Sequence, residues 1–188
     1  MKTCFYLFLA TKPFSHKGFA ESLGSFDLPF HISYESELRG SIECPPRLGM
    51  LLSNTLFTIH DDLDTTLVLL EAPKKSLLSE KLLEQALSYF PNQVVCLSDI
   101  LLKEFSFGNF SSIPLLKNEF KEVPHELMLT AGAYLRTNLN ACLTAETLYI
   151  HRNTFNYRLN AFIEKTGLDI REYHNALLLE FYFQFCGN

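Results

Sequence analysis

The sequence predicts an α+β protein in which an N-terminal mixed α/β sandwich domain precedes an all-α helix-turn-helix domain. Over residues 1–112, short apolar and β-branched runs alternate with segments of helical periodicity, which is typical of helices that cover a mixed sheet. After Pro124 the apolar residues recur at helical spacing only. Glycine, serines and prolines concentrate between these regions. We therefore expect an N-terminal domain at 1–112, a linker at 113–123 and a helical domain at 124–188.

The composition indicates a globular chain without a global attraction to polyanions. The chain has 188 residues, 47% of them hydrophobic, which is enough for a buried core. Its net charge of -5 and its pI of about 5.7 mean that any contact with nucleic acid must come from a local patch. Residues 124–188 are nearly neutral, so a dimer would be needed to supply enough cations for a polyanion.

The cysteines and the apolar start of the chain favour a reducing cytoplasm. Five cysteines is an odd number, and they are scattered without a CxxC pair, so neither a disulfide framework nor a zinc site is predicted. The apolar run from Cys4 to Ala10 superficially resembles a signal peptide, but it is short and no small-x-small cleavage site follows. We interpret Thr3 to Thr11 as a buried strand. No apolar run reaches the length of a membrane span.

The N-terminal domain is expected to contain strands and two helices. The pattern predicts a short helix at 16–23, a strand at 28–34, irregular chain at 43–47, an amphipathic helix at 76–89 and a strand at 94–97. Residues 54–60 and 65–71 are predicted to form a β-hairpin. Its turn carries three aspartates, but it lacks the glycine and distal glutamate of a calcium loop, so a solvated turn is favoured over a metal site.

The stretch Asn140 to Gly167 has the pattern of a helix-turn-helix. Apolar residues recur every three or four positions in two sets, and the phase breaks at residues 149–151. Asn140 can cap the first helix, and His151 or Asn153 the second. Phe155, Leu159, Phe162 and Ile163 are predicted core residues. Helices at 125–138 and 169–185 would complete the domain, and the second is apolar around its whole circumference.

The polar residues at the start of the second helix are candidates for DNA contact, because this end enters the major groove in DNA-binding helix-turn-helix proteins. A guanidinium at Arg152 can donate two hydrogen bonds to guanine, and the amide of Asn156 matches adenine. The remaining candidates are Asn153, with Asn160, beside that face, and Asn140, Thr154, Tyr157 and Arg158 for phosphates. Taken alone, an ordinary solvated helix face explains these residues as well. For His151, a cap or a packed turn residue is at least as good an interpretation as a functional one.

These residues also carry a resemblance to a known family. The segment TAETLYIHRNTFNYRLNAFIEKTGLDI closely resembles the C-terminal helix-turn-helix of the PucR and sugar-diacid-regulator (CdaR) family of bacterial transcription regulators. The family core HRNT-x-x-YRL is intact as His151 to Leu159, and the resemblance extends over about residues 127–185. It implies binding to double-stranded DNA through the candidate residues. Nothing comparable occurs in the first two thirds of the chain.

The resulting hypothesis is a cytoplasmic bacterial transcription regulator that acts as a homodimer, with an N-terminal domain for dimerisation or for sensing an effector. The alternative is a helix-turn-helix module kept for protein–protein contacts, which the acidic net charge would suit; salt-dependent DNA binding distinguishes the two. An enzyme is not expected, because we find no nucleophile–base spacing, phosphate-binding glycine loop or paired carboxylates. No cofactor or metal is predicted.

Overall fold

The computed structural model describes residues 4–24, 30–45, 49, 51–56 and 64–187, and it divides into two compact units, Met1–Asn109 and Phe110–Asn188. The first unit contains strands β1 (Cys4–Ala10), β2 (His31–Tyr34), β3 (Arg39–Cys44), β4 (Leu67–Ala72) and β5 (Val94–Cys96). Its helices are α1 (His16–Gly24), α2 (residues 51–56), α3 (Leu77–Tyr89) and α4 (Leu97–Ser106). The second unit is helical: α5 (Ile113–Glu119), α6 (His125–Arg136), α7 (Ala141–Thr147), α8 (Arg152–Thr166) and α9 (Tyr173–Phe185).

The strands of the first unit form one mixed sheet in the order β2-β3-β1-β4-β5. The first four strands are antiparallel to their neighbours, and β5 pairs with β4 in parallel. The succession β1-α1-β2-β3-α2-β4 and this strand order are those of the ferredoxin-like split βαβ motif. The α+β fold class predicted from the sequence is therefore confirmed.

The core of the first unit is centred on β1, the middle strand of the sheet. Tyr6 and Phe8 are fully buried, and the Phe8 ring contacts Phe19 edge-on with 5.4 Å between centroids. Gly40 is the cross-strand partner of Phe8. A Cβ at position 40 would lie 2.5 Å from the Phe8 ring and 2.2 Å from the Ser33 carbonyl oxygen. Glycine is therefore required there so that the ring can lie over the neighbouring strand.

Several elements occur where the sequence predicted them. These are the strand at 4–10, the helix beginning at His16, the helix ending at Tyr89 and the strand beginning at Val94. Ser76 caps α3: its hydroxyl accepts from the Ser79 amide at 3.2 Å, and the Ser79 hydroxyl accepts from the Ser76 amide at 2.8 Å. These two bonds satisfy amide groups that a helix start leaves without intrahelical partners.

The predicted β-hairpin at 54–60 and 65–71 is wrong in its first strand, since residues 51–56 are helical. Residues 57–63, which include two of the three aspartates, lie outside the described residues. Leu52 and Leu56 are buried four residues apart, and the Thr55 hydroxyl donates to the Leu51 carbonyl at 2.8 Å. The β-branched residues suggested a strand, but burial at helical spacing decided the local structure. The third aspartate, Asp64, pairs with Lys12 at the surface.

Two elements were not predicted from the sequence. Strand β3 includes Glu43 and Cys44, which were expected in irregular chain, because it is held between β1 and β2 in the sheet. Helix α4 follows β5 without a loop, and the Asp99 carboxylate accepts from the Cys96 amide at 2.8 Å, as in a capping box. Both depend on sheet pairing or on a cap formed at a strand end.

Residues 113–123, expected to be a linker, carry α5 and lie inside the second unit. Leu116 and Phe120 are buried, and the Phe120 ring lies 4.6 Å from the Tyr182 ring of α9. Pro114, in the first turn of α5, suits a helix start, where its missing N–H is not needed. In the part of the chain that is described, no helix combines the length and the apolar character needed to cross a membrane.

Alkaline destabilisation of the first unit should depend on Tyr6. Its hydroxyl donates to Glu71 at 3.1 Å, and burial, followed by the Glu71 charge, raises the pKa of Tyr6 far above 10.0. Above pH 10 the unfolded state therefore releases a proton that the native state keeps, and the free energy of unfolding falls by up to about 1.4 kcal/mol per pH unit. Tyr6→Phe should flatten this decline in urea unfolding.

Tyr149→Phe is the matched control, since Tyr149 is 96% exposed. In this variant the free energy of unfolding should fall with pH as steeply as it does in the wild-type protein. Burial also raises the pKa of Cys44, to about 12, so a smaller decline from pH 9 upward should persist in Tyr6→Phe. An equal slope in Tyr6→Phe and the wild type would contradict the assignment.

Candidate nucleic-acid interface

The second unit contains the helix-turn-helix that the sequence predicted, as α7, a four-residue turn and α8. Asn140 caps α7: its side-chain oxygen accepts from the amides of Cys142 and Leu143, each at 3.1 Å. Tyr149 in the turn has φ 53°, a backbone conformation that most side chains disfavour. Gly167 ends α8 with φ 75°, for which glycine is the best suited residue. The start of α7, the turn and the end of α8 are thus fixed by local interactions.

Helix α8 is held by one buried stripe. Phe155, Leu159 and Phe162 are buried, and the Phe155 ring packs against Tyr134 of α6 with 5.2 Å between centroids. These three core predictions are confirmed, whereas Ile163 is only half-buried. Because α8 buries a single stripe, its other faces are available for contacts.

The opposite face of α8 is polar and open. Asn153, Asn156, Tyr157 and Asn160 are exposed and, at 100° per residue, lie on the side away from the buried stripe. Arg152 and Thr154, which are exposed as well, flank this face at the start of the helix. Six of the seven predicted DNA contacts thus lie on the first two turns of α8, and all of these except Arg158 are exposed. Asparagine amides and hydroxyls both donate and accept hydrogen bonds, which suits base edges and phosphate oxygens.

Arg158 differs from the other candidates on α8. Its side chain is only 27% exposed, and its guanidinium pairs with the Glu126 carboxylate of α6 at 3.1 Å. The carboxylate itself is mostly exposed, so the pair contributes at most about 1 kcal/mol to stability. Arg158 therefore links α8 to α6 in this structure, and it can reach a phosphate only by leaving Glu126.

His151 and Asn140 both act as helix caps. The Nδ1 of His151 accepts from the Asn153 amide at 3.2 Å, which satisfies one free amide at the start of α8. This contact assigns His151 the structural role that the sequence left open. Asn140 is exposed while it caps α7, and it lies at the N-terminal end of that helix, apart from the α8 face.

Sequence analysis missed two residues that influence this surface. Tyr149 projects almost fully into solvent from the turn between α7 and α8. Its only signal in the sequence is the break in apolar spacing at residues 149–151. Glu164 lies on the same face as Asn160, one turn further along α8. Its negative charge disfavours a polyanion beside the second half of the helix.

The comparisons with known proteins identify this unit. Residues 127–184 match the family described as the PucR C-terminal helix-turn-helix domain. This segment is a PucR-type helix-turn-helix domain. The match covers the four helices α6 to α9, so the resemblance noted in the sequence is confirmed, and the family is identified for this domain.

Three curated relatives match shorter stretches of the chain. The Escherichia coli carbohydrate diacid regulator is 45% identical over 53 residues, which is 28% of this chain and 14% of that protein. The Bacillus subtilis proline-responsive transcriptional activator PutR is 38% identical over 76 residues, which is 40% of this chain and 18% of that protein. The uncharacterized B. subtilis protein YxkF is 45% identical over 56 residues, 30% of this chain and 19% of that protein. The matches therefore span less than a fifth of each relative.

A solved structure is similar over a longer range. The crystal structure of the Regulator of Polyketide Synthase Expression from Bifidobacterium adolescentis aligns with 98% of this chain and 80% of that chain. The TM-score is 0.48 and the identity 18%. This likeness is too low to support a conclusion about the present chain.

Removing the Phe155 ring should unfold or loosen the helix-turn-helix. Phe155→Ala empties a buried site against Tyr134, and such changes cost about 3–5 kcal/mol. We expect a correspondingly lower midpoint for the second unit in urea unfolding. Asn156→Ala, one position away on the exposed face, is the control and should change the midpoint little. A Phe155→Ala protein with an unchanged midpoint would contradict the packing role.

Proposed function

We propose that this protein is a bacterial transcription regulator that binds double-stranded DNA through α8. The observation that carries the proposal is the exposed polar face at the start of α8 within a PucR-type domain. Two of the similar proteins are named as a regulator and a transcriptional activator, which supports the same role here. The protein acts by binding and not by catalysis.

Each candidate residue has a proposed role set by its position. Arg152 and Asn156 contact base edges, because a guanidinium matches guanine and a side-chain amide matches adenine. Asn153 contacts bases or bridging water beside them. The residues proposed for the phosphate backbone are Asn140, Thr154, Tyr157 and Arg158, the last after it leaves Glu126.

The first unit supplies dimerisation or effector sensing in this proposal, with the domain boundary expected from the sequence at residues 112–124. The location is cytoplasmic, in keeping with five cysteines that are all free thiols. A second candidate function, protein–protein binding through the same helices, is supported by the net charge of -5. Proteins that neutralise DNA phosphates release counterions, so their affinity for DNA falls steeply as the salt concentration rises. An affinity for duplex DNA that does not change with salt would therefore favour the second function.

Arg152→Ala should reduce discrimination between DNA sequences. A duplex is first selected from a random pool with the wild-type protein, and affinities are then measured for it and for a scrambled duplex. Loss of one bidentate contact should reduce the difference in binding free energy between the two duplexes by roughly 1–3 kcal/mol. Lys165→Ala, which removes an exposed cation from the last turn of α8, should preserve the difference. Equal losses on both duplexes for Arg152→Ala would contradict base contact.

Arg158 provides the contrasting case in the same titrations. Arg158→Ala should weaken binding to both duplexes alike and lower the salt slope by about one charge. Glu126→Gln removes the competing carboxylate and should strengthen binding to both, whereas Glu122→Gln, outside the ion pair, should not. Unchanged affinity in Arg158→Ala would show that this arginine serves only to join α8 to α6.

The active form is proposed to be a homodimer. The second unit, residues 110–188, has seven basic and eight acidic residues and is nearly neutral, so a second copy would double the cations near the DNA. The partly buried aromatic residues of α9 and the sheet of the first unit are the candidate interfaces. Sedimentation equilibrium with the selected duplex should give two chains per duplex. One chain per duplex would contradict the dimer.

A further inference from the structure

A groove of about 770 Å³ lies within the second unit, away from the exposed face of α8. It is formed by α5, the segment after α5, α6 and the last turns of α9. Its apolar wall includes Phe120, Leu129, Tyr182 and Phe183. Leu129 is 49% exposed, which is unusual for a leucine in the middle of a packed helix. An open apolar wall of this kind indicates a surface that another molecule covers.

Gly132 of α6 shapes the floor of this groove. A Cβ at this position would lie 2.9 Å from the Phe183 ring and 3.3 Å from a guanidinium nitrogen of Arg136. The absence of a side chain therefore lets an aromatic ring and a cation approach the same point of the helix backbone. Glycine costs about 1 kcal/mol inside a helix relative to alanine, so its place here serves this close approach.

The charges around the groove have one sign. Lys117, Lys121 and Arg136 line it, and none of the described lining residues is a carboxylate. Among the described residues, no carboxylate forms an ion pair with Lys117, Lys121 or Arg136. Six other cationic side chains do pair with carboxylates: Lys12, Lys17, Arg39, Lys75, Arg158 and Arg171. Three cations without an ion pair among the described residues thus lie beside an aromatic wall.

We propose that this groove binds a small organic anion, a carboxylate or sulfonate with an aromatic or branched apolar body. The volume lies within the range of small-molecule sites, roughly 300–1,000 Å³. The aromatic wall would cover the apolar body, and the lysines and Arg136 would bind the acidic group. The inference goes beyond the proposed function, because it places a ligand in the helix-turn-helix domain instead of in the N-terminal domain.

Helix α6 lines the groove and also packs against α8, the helix proposed to bind DNA. Residues at 128, 129, 132 and 136 line the groove, while Tyr134 packs on Phe155 and Glu126 pairs with Arg158. A ligand that holds α6 and α9 together would act on the same helix that supports α8. The site therefore offers a physical route by which an anion would change DNA affinity.

Fluorescence titration of the full chain with 8-anilinonaphthalene-1-sulfonate tests the site, and the neutral N-phenyl-1-naphthylamine serves as the uncharged match. The sulfonate should bind saturably at one site per chain. The double variant Lys117→Ala, Lys121→Ala should weaken sulfonate binding roughly tenfold and binding of the neutral probe less than about twofold, since only the charge contact is lost. Equal weakening of both probes, or no saturable binding, would overturn the proposal.

Lys103→Ala is the matched control, because Lys103 lies 5.1 Å from the Phe107 ring centroid in a separate groove of the first unit. It should leave sulfonate affinity unchanged, and a tenfold loss would move the site there and overturn the proposal. The double variant is also titrated with duplex DNA. Weakened DNA binding with unchanged sulfonate affinity would assign these lysines to the DNA backbone instead. If the wild-type protein does not bind DNA, but the double variant loses affinity for the sulfonate and not for the neutral probe, only the proposed function is refuted.

Discussion

The packing of Phe155 against Tyr134 is the contact on which the second unit depends. It joins α8 to α6 at 5.2 Å between ring centroids, and both side chains are buried. A helix of 15 residues with polar residues on most of its circumference is marginal alone, so its order comes from this apolar stripe. Because the stripe is narrow, fixing the helix leaves its polar face exposed. The same interaction therefore stabilises the domain and presents the candidate contact residues.

Helix α6 carries two tasks on different faces. One face supports α8, and another, near Gly132 and Arg136, lines the groove closed by Phe183 of α9. Nearly all of its central residues are buried, which explains its small side chains between Thr130 and Ala133. Small residues allow close approach on several sides at once. The two faces of α6 therefore belong to one densely buried helix.

Electrostatics sets limits on the DNA binding that we propose for this domain. The domain is nearly neutral, and the Arg158 guanidinium forms an ion pair with Glu126 of the same unit. Partly exposed ion pairs are weak, so a phosphate can compete for Arg158 at small cost. Glu164 disfavours a polyanion at the far end of the exposed face. These features point to modest affinity for one copy, and they explain why a dimer belongs to the proposed function.

The sequence alone determined those features that rest on local spacing and caps: the helix-turn-helix, its Asn140 cap, the buried Phe155, Leu159 and Phe162, and the α+β class. Such features depend on contacts within a few residues, which periodicity records. Only the tertiary structure decided the helix at 51–56, strand β3 and the ferredoxin-like order. It also decided the pairing of Arg158 and the cationic groove, because these depend on residues distant in the chain, whose meeting no local pattern encodes.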